Sequence, residues 1–151
     1  VTTVGEICNR GVVTIGKTDP VLEAARRMRE HHVGSLVIVD ESAGKALPTG
    51  IITDRDIVVS VLATASPYLD SLQVAEVSTD PLVTAREDED LLDLLKKMRA
   101  EGIRRVPVVD DEGVLQGIIA FDDLLEVLSD QLSELTALVT RQQRREVQRR
   151  I

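Results

Sequence analysis

Hydrophobic positions recur along the chain with helical and strand-like spacing, and the whole pattern is written twice. Val21, Ala24, Ala25 and Met28 fall at i, i+3, i+4 and i+7, which is one face of an amphipathic helix; Leu91, Leu94, Leu95 and Met98 repeat that face seventy residues later. Asp19-Pro20 predicts a cap and a first-turn proline for the first helix, and Gly102 predicts a left-handed end for the second. Behind each helix stands an apolar, β-branched run that reads as a buried strand, Ser35-Leu36-Val37-Ile38-Val39-Asp40 and Arg105-Val106-Pro107-Val108-Val109-Asp110. Ahead of each helix, Val4-Gly5-Glu6-Ile7 aligns with Val74-Ala75-Glu76-Val77, and Val13-Thr14 with Val83-Thr84. Turns follow at 41–49 and 111–116. The offset then falls to 67 at Gly50-Ile51-Ile52 and Gly117-Ile118-Ile119, which assigns three extra residues to an exposed turn of the first repeat. A helix from about Asp54 to Ala63 closes that repeat.

Each repeat thus reads as an N-terminal segment, strand, helix, strand, turn, strand and helix. One repeat alone buries too little surface for comfortable stability, so two are expected to share a core. The fold class is α+β: two tandem βαββα units related by pseudo-two-fold symmetry, with an extended C-terminal helix. The boundaries are 1–65 for the first repeat, 66–73 for a linker opened by Ser66-Pro67, 74–128 for the second repeat and 129–151 for the helical extension. In that extension Leu128, Leu132, Leu135 and Val139 are spaced four, three and four apart, an a/d-like seam with nothing left to cover inside the repeat. It predicts a partner subunit, and a homodimer is the expected assembly.

Composition changes this picture in four places. Tyr68 and Phe121 are the sole aromatics, so a ring-shaped ligand must lie against aliphatic side chains. The net charge of −8 argues against nucleic acid as the main partner. The arginines of the tail, Arg141, Arg144, Arg145, Arg149 and Arg150, leave a nucleic-acid adaptor as a rival reading, but a solvated helix end is the plainer one. A lone cysteine, Cys8, excludes an internal disulfide and suits a reducing cytoplasm. No apolar run is long enough to cross a membrane and no signal-peptide pattern is visible, although Val1 is not a methionine.

Candidate chemistry gathers at Gly50-Ile51-Ile52-Thr53-Asp54-Arg55-Asp56, a strand ending in a helix start. The Thr53 hydroxyl can accept from the Asp56 amide while Asp56 returns a bond to the Thr53 backbone. The two side chains therefore sit together on the rim of a sheet, where a polar ligand or the capping box alone accounts for them. Gly117-Ile118-Ile119-Ala120-Phe121-Asp122-Asp123 repeats the stretch with Ala120 in place of the hydroxyl. Cys8 has no His or Lys spaced to activate it, and His31-His32 diverge around a helix end, so neither a nucleophile nor a metal site is indicated. No catalytic residue and no catalytic cofactor is predicted.

The doubled G-h-h-(T/S)-x-x-(D/N) motif, with Val33-Gly34-Ser35-Leu36-Val37-Ile38-Val39-Asp40 and Ile103-Arg104-Arg105-Val106-Pro107-Val108-Val109-Asp110, resembles a tandem pair of CBS (cystathionine β-synthase) domains, a Bateman module. The likeness covers roughly residues 4–128, and a stand-alone pair is the expectation. It implies a regulatory module that binds an adenosine-type ligand (AMP, ADP, ATP, NAD or S-adenosylmethionine) between the repeats. By that resemblance Thr53 and Asp56 hold the ribose. Val12, Val13, Thr14, Val33 and Gly34 form the adenine pocket. Arg104 and Arg105 meet phosphate. The second site keeps Asp123 but has Ala120 for its hydroxyl and Gly34 and Ser35 for its cations, and so is expected to be degenerate. A ligand-free dimerisation scaffold is the alternative.

Overall fold

In the computed structural model, which describes residues 2–64, 69–78 and 81–150, the first repeat runs α1 (Val4–Ile7), β1 (Thr14–Gly16), α2 (Val21–His31), β2 (Ser35–Ser42), β3 (Lys45–Thr53) and α3 (Asp54–Asp56), continued by a π-helical segment, Ile57–Leu62. The second runs α4 (Val74–Val77), β4 (Ala85–Arg86), α5 (Leu91–Glu101), β5 (Arg105–Val109) and β6 (Leu115–Ala120), and α6 (Phe121–Arg150) ends the chain. The expected linker start, Ser66-Pro67, lies outside the described residues. The chain divides into two units, 1–119 and 120–151. Two three-stranded sheets, β1-β2-β3 and β4-β5-β6, lie within the repeats.

The periodic residues do what their spacing predicts. Val21, Ala24 and Met28 of α2 are buried, as are Leu91, Leu94 and Met98 of α5; Ala25 and Leu95, at the margins of the two faces, are half-buried. In each repeat the first strand pairs parallel with the second, Thr14 to Val37 and Ala85 to Val108. β2 and β3 form an antiparallel hairpin.

Several local features depart from expectation for identifiable reasons. The stretch 41–49 is not an open turn. Ala43 and Gly44 both take positive φ (52° and 76°), the geometry of a two-residue hairpin turn, and the three extra residues lengthen the strands instead. Asp19 does not cap α2. Its Oδ2 accepts the Gly16 amide at 2.9 Å within the preceding turn, and Pro20 stands at the N-cap. The helix after Thr53 turns π after its first turn, with the Ala63 amide donating to the Val58 carbonyl five residues back. The run Ile57-Val58-Val59, poor in helix propensity, occupies this widened coil.

Gly102 ends α5 at φ 66°, as expected, and His32 ends α2 at φ 55° in the equivalent place. A side chain in that region is strained by about 1–2 kcal/mol, part of which glycine gives back as entropy of the unfolded chain. His32→Gly should therefore raise stability by about 0.5–1 kcal/mol in urea denaturation. A loss instead would mean that the His32 side chain holds the helix end.

The repeats exchange their N-terminal segments. Val4 and Gly5 amides donate to the Glu89 and Glu87 carbonyls of the second repeat, and the Leu91 amide donates to Thr2. Seventy residues on, Val74 and Ala75 amides donate to Asp19 and Lys17 of the first, and the Val21 amide donates to Leu72. Val74 is fully buried within the first repeat's core, beside Ile15, Val21, Leu36 and Ile52. Neither repeat therefore completes its own core. The exchange also carries the start of each repeat to the strand edge where the other repeat's G-h-h motif lies.

Candidate functional site

The strand β3 leaves the sheet at Thr53 and turns at once into α3. The Asp56 amide donates to Thr53 Oγ1 at 3.1 Å, and Asp56 Oδ2 accepts from the Thr53 amide at 2.9 Å. This capping box fixes both side chains on the sheet rim. It occupies Oδ2 of the carboxylate, so capping and ligand binding are compatible uses of one pair.

Thr53 and Asp56 line a cleft of about 220 Å³ together with Ile51, Ser78, Leu82, Val83 and Ile103 and the two arginines, Arg104 and Arg105. Two polar residues of the first repeat thus meet two cations of the second, although some fifty positions separate them in the chain. The cleft walls are aliphatic and half-buried; the arginines stand at its exposed rim. Ser78, at the end of α4, donates its hydroxyl to the Ile51 carbonyl at 2.6 Å and so ties the exchanged segment to β3 beside Thr53.

The five residues expected at the adenine pocket take a different place. Val12, Val13, Thr14, Val33 and Gly34 do not line this cleft; Thr14 borders a separate shallow depression with Lys17, Asp19 and Arg27. The register gives the reason. Ala85 pairs with Val108 in the parallel β4–β5 ladder, so the residues just before β4 run beside the start of β5, and Leu82 and Val83 accompany Arg104 and Arg105. By the same rule Val12 and Val13 accompany Gly34 and Ser35, with the Val37 amide donating to Val13 at 3.1 Å. Gly34 is also committed locally: its carbonyl accepts the Asp54 amide at 2.9 Å. Apolar wall and cation belong to one strand edge, so a cleft that takes its arginines from the second repeat takes its walls there too. Ser78, Leu82, Val83 and Ile103 were legible as the seventy-residue counterparts of Cys8, Val12, Val13 and Val33.

Asp123, the counterpart of Asp56 in the second repeat, accepts the Ala120 amide on Oδ2 at 3.0 Å, so half of the capping box survives without the hydroxyl. Cys8 is half-buried, its thiol directed at the Gly5 carbonyl, and burial pushes its pKa up, which opposes thiolate chemistry. Among the described residues no cluster of His, Cys, Asp and Glu is arranged to hold a metal ion, and no helix is long and apolar enough to cross a membrane.

Fold and cleft together define a class, a tandemly repeated α+β module with a polar cleft where the repeats exchange segments. Comparison with known proteins names it. The CBS domain pattern matches residues 4–63 and again 74–130. An uncharacterised protein of Methanopyrus kandleri is 41% identical over 124 residues, 82% of this chain and 61% of that protein, so the chain spans less than two thirds of this relative. Among solved structures, the CBS domain pair of protein MJ0100, in complex with 5′-methylthioadenosine and S-adenosyl-L-methionine, superposes with a TM-score of 0.74 at 30% identity, covering 87% of this chain and 98% of that one. A hexameric CBS-CP12 protein from bloom-forming cyanobacteria superposes with a TM-score of 0.70 at 29% identity, covering 83% of this chain and 70% of that one. The chain belongs to the CBS domain family, as a tandem pair.

Proposed function

We propose that the chain is a regulatory module that binds an adenosine nucleotide in the Thr53–Asp56 cleft and carries out no catalysis of its own. The observation that carries this reading is the convergence of Thr53 and Asp56 with Arg104 and Arg105 on one cleft. A carboxylate beside a hydroxyl suits the vicinal hydroxyls of ribose, since charge-assisted hydrogen bonds are the stronger kind. Guanidinium forks suit phosphate oxygens. Leu82, Val83 and Ile103 offer the aliphatic walls that a base needs where no aromatic side chain lines the cleft among the described residues. The bound adenosine compounds of the MJ0100 domain pair support the ligand class.

The rim narrows the choice. Two cations favour AMP, ADP or ATP over S-adenosylmethionine, whose sulfonium is itself positive. A cleft of about 220 Å³ is smaller than the roughly 300–1,000 Å³ of sites for drug-sized ligands. It suits a mononucleoside with its phosphates at the open mouth better than the dinucleotide NAD.

The test is a thermal-shift panel of AMP, ADP, ATP, NAD, S-adenosylmethionine, 5′-methylthioadenosine and a guanine nucleotide. Saturable stabilisation by the phosphorylated adenosines is expected. No shift with any of them would leave the dimerisation scaffold as the function. Arg105→Ala should weaken AMP or ATP by about twofold to fivefold, the worth of an exposed ion pair, and leave adenosine unchanged in calorimetric titration. Equal loss for adenosine would show that Arg105 shapes the cleft and does not read phosphate.

For assembly we infer a homodimer in the cytoplasm. Val58, Val59 and Leu62 of the π-helical segment and the seam of α6 leave apolar surface exposed, which an oligomer buries. The hexameric CBS-CP12 protein is a related chain that oligomerises.

A further inference from the structure

Among the described residues that line the cleft, the polar side chains are Thr53, Asp56, Ser78, Arg104 and Arg105. Thr53 and Asp56 suit ribose, and the arginines suit phosphate. Ser78 is left over, and it shares the cleft with Leu82, Val83 and Ile103, the aliphatic walls for a base. Its hydroxyl has one proton to give, and that proton goes to the Ile51 carbonyl at 2.6 Å. A serine hydroxyl carries one donor and two acceptor lone pairs, so towards a ligand this oxygen accepts. We propose that Ser78 reads the base: its Oγ accepts from the exocyclic amino group of adenine and disfavours a purine with a 6-oxo group. The inference rests on the nucleotide reading of the cleft given above and adds to it the residue that sets the choice of base.

The oxygen is held in place before a ligand arrives. It lies 2.6 Å from the Ile51 carbonyl and 3.4 Å from where a Cβ on Gly50 would stand. Ile51 precedes Thr53 by two residues on β3, about 7 Å along the strand, so the ribose pair and the base reader are set apart along one edge. Pro81, in the same lining, has no N–H to offer a 6-oxo group. The repeat supplies a contrast. Cys8 is the counterpart of Ser78, as Ala120 is of Thr53 and Gly34 and Ser35 are of Arg104 and Arg105. The hydroxyl at this position thus goes together with the ribose hydroxyl and the cations, and all are replaced together in the other set. Fastening the exchanged segment does not by itself require the hydroxyl, since beside Cys8 two backbone hydrogen bonds between Asn9 and Ile118 do that work.

AMP and IMP test the assignment, because they share ribose, phosphate and purine ring and differ where oxygen replaces the 6-amino group. Calorimetric titration of the full chain should show AMP bound at least about tenfold more tightly than IMP. Ser78→Ala should weaken AMP by about fivefold to tenfold and leave IMP within about twofold, so that most of the preference is lost. Ser78→Cys, the residue that the other repeat carries in this place, should do the same, and it carries the measurement if the alanine variant does not fold. Ser78→Thr, which keeps the hydroxyl, should keep the preference. Equal binding of AMP and IMP by the unaltered chain overturns the proposal and leaves the nucleotide reading standing. Loss of AMP and IMP by the same factor in the Ala and Cys variants shows that Ser78 only holds α4 against β3, and overturns it too. An intact preference in both variants assigns base selection to another group, with the same consequence. Binding of none of the nucleotides by the unaltered chain removes the nucleotide reading and this inference with it.

Discussion

Asp56→Ala is expected to lower the affinity for every adenosine ligand by roughly tenfold to a hundredfold, while Asp123→Ala leaves it unchanged. The magnitude follows from losing a charged hydrogen-bond partner, about 1.5–3 kcal/mol. The readout is direct, because a ligand at a hundred times its Kd adds about 2.7 kcal/mol of stability, and about 1.3–2.3 kcal/mol of that gain should vanish in Asp56→Ala at the same ligand concentration. The two substitutions control for each other. Each removes a carboxylate that caps a helix start, Asp56 on the Thr53 amide and Asp123 on the Ala120 amide, so each should cost about 0.5–2 kcal/mol of ligand-free stability. Only one of them removes a group from the cleft that Arg104 and Arg105 border. Asp56→Asn separates the two uses further, since an amide oxygen can still accept from the Thr53 amide but offers no charge to ribose. Unchanged affinity in both Asp56 variants would reduce the Thr53–Asp56 pair to a capping box. Equal losses from Asp56 and Asp123 would end the single-site reading.

The repeat made most of the fold legible. Two helix faces at one offset, two β-branched runs at the same offset and two G-h-h motifs placed the long helices and the strands of both repeats, but not the short helices α1 and α4, the lengthened β2–β3 hairpin or the π-helical segment. What stayed hidden depends on partners distant in sequence or on backbone torsions. No side-chain pattern marks His32 as left-handed, because glycine is the residue that ordinarily signals that conformation. Asp19 looked like a cap because Asp-Pro before an apolar helix face is a local signal, whereas its bond to Gly16 belongs to the turn behind it. The polar half of the cleft was readable, since Thr53 and Asp56 are neighbours on one helix start and Arg104 and Arg105 are adjacent. The apolar half is different: Leu82, Val83 and Ile103 border this cleft, whereas Val12, Val13, Thr14, Val33 and Gly34, expected at the adenine, are not in its lining. Which edge closes a cleft is set by the parallel pairing of β4 with β5, and hydrophobic spacing carries no record of which strand pairs with which.

Gly117→Ala should destabilise the chain by about 1–3 kcal/mol, far more than Gly50→Ala, although the two glycines open equivalent motifs. A Cβ at Gly117 meets Cys8 Sγ at 2.8 Å and the Asn9 backbone oxygen at 2.9 Å. A Cβ at Gly50 meets Ser78 Oγ at 3.4 Å and Ile38 Cδ1 at 3.5 Å, ordinary contacts. Cys8 and Ser78 are counterparts in the repeat, and each ends the exchanged segment lying across the other repeat's glycine. The larger sulfur and a closer backbone make the first approach tight. Asn9 cannot retreat cheaply, because it exchanges two backbone hydrogen bonds with Ile118 at 2.8 and 2.9 Å. Adding a methyl group must therefore stretch that bridge and loosen α1 from the second repeat. Cys8→Ala removes the sulfur but not the Asn9 carbonyl, so the double variant Cys8→Ala/Gly117→Ala should recover part of the loss and not all of it. The measurement is urea denaturation of the two single glycine variants, the cysteine variant and the double, with the coupling read from the cycle. Full recovery in the double variant would assign the whole cost to sulfur. Equal costs at Gly50 and Gly117 would mean that the exchanged segments pack alike on both repeats, and that the glycine at each motif answers to strand geometry and not to the segment laid across it.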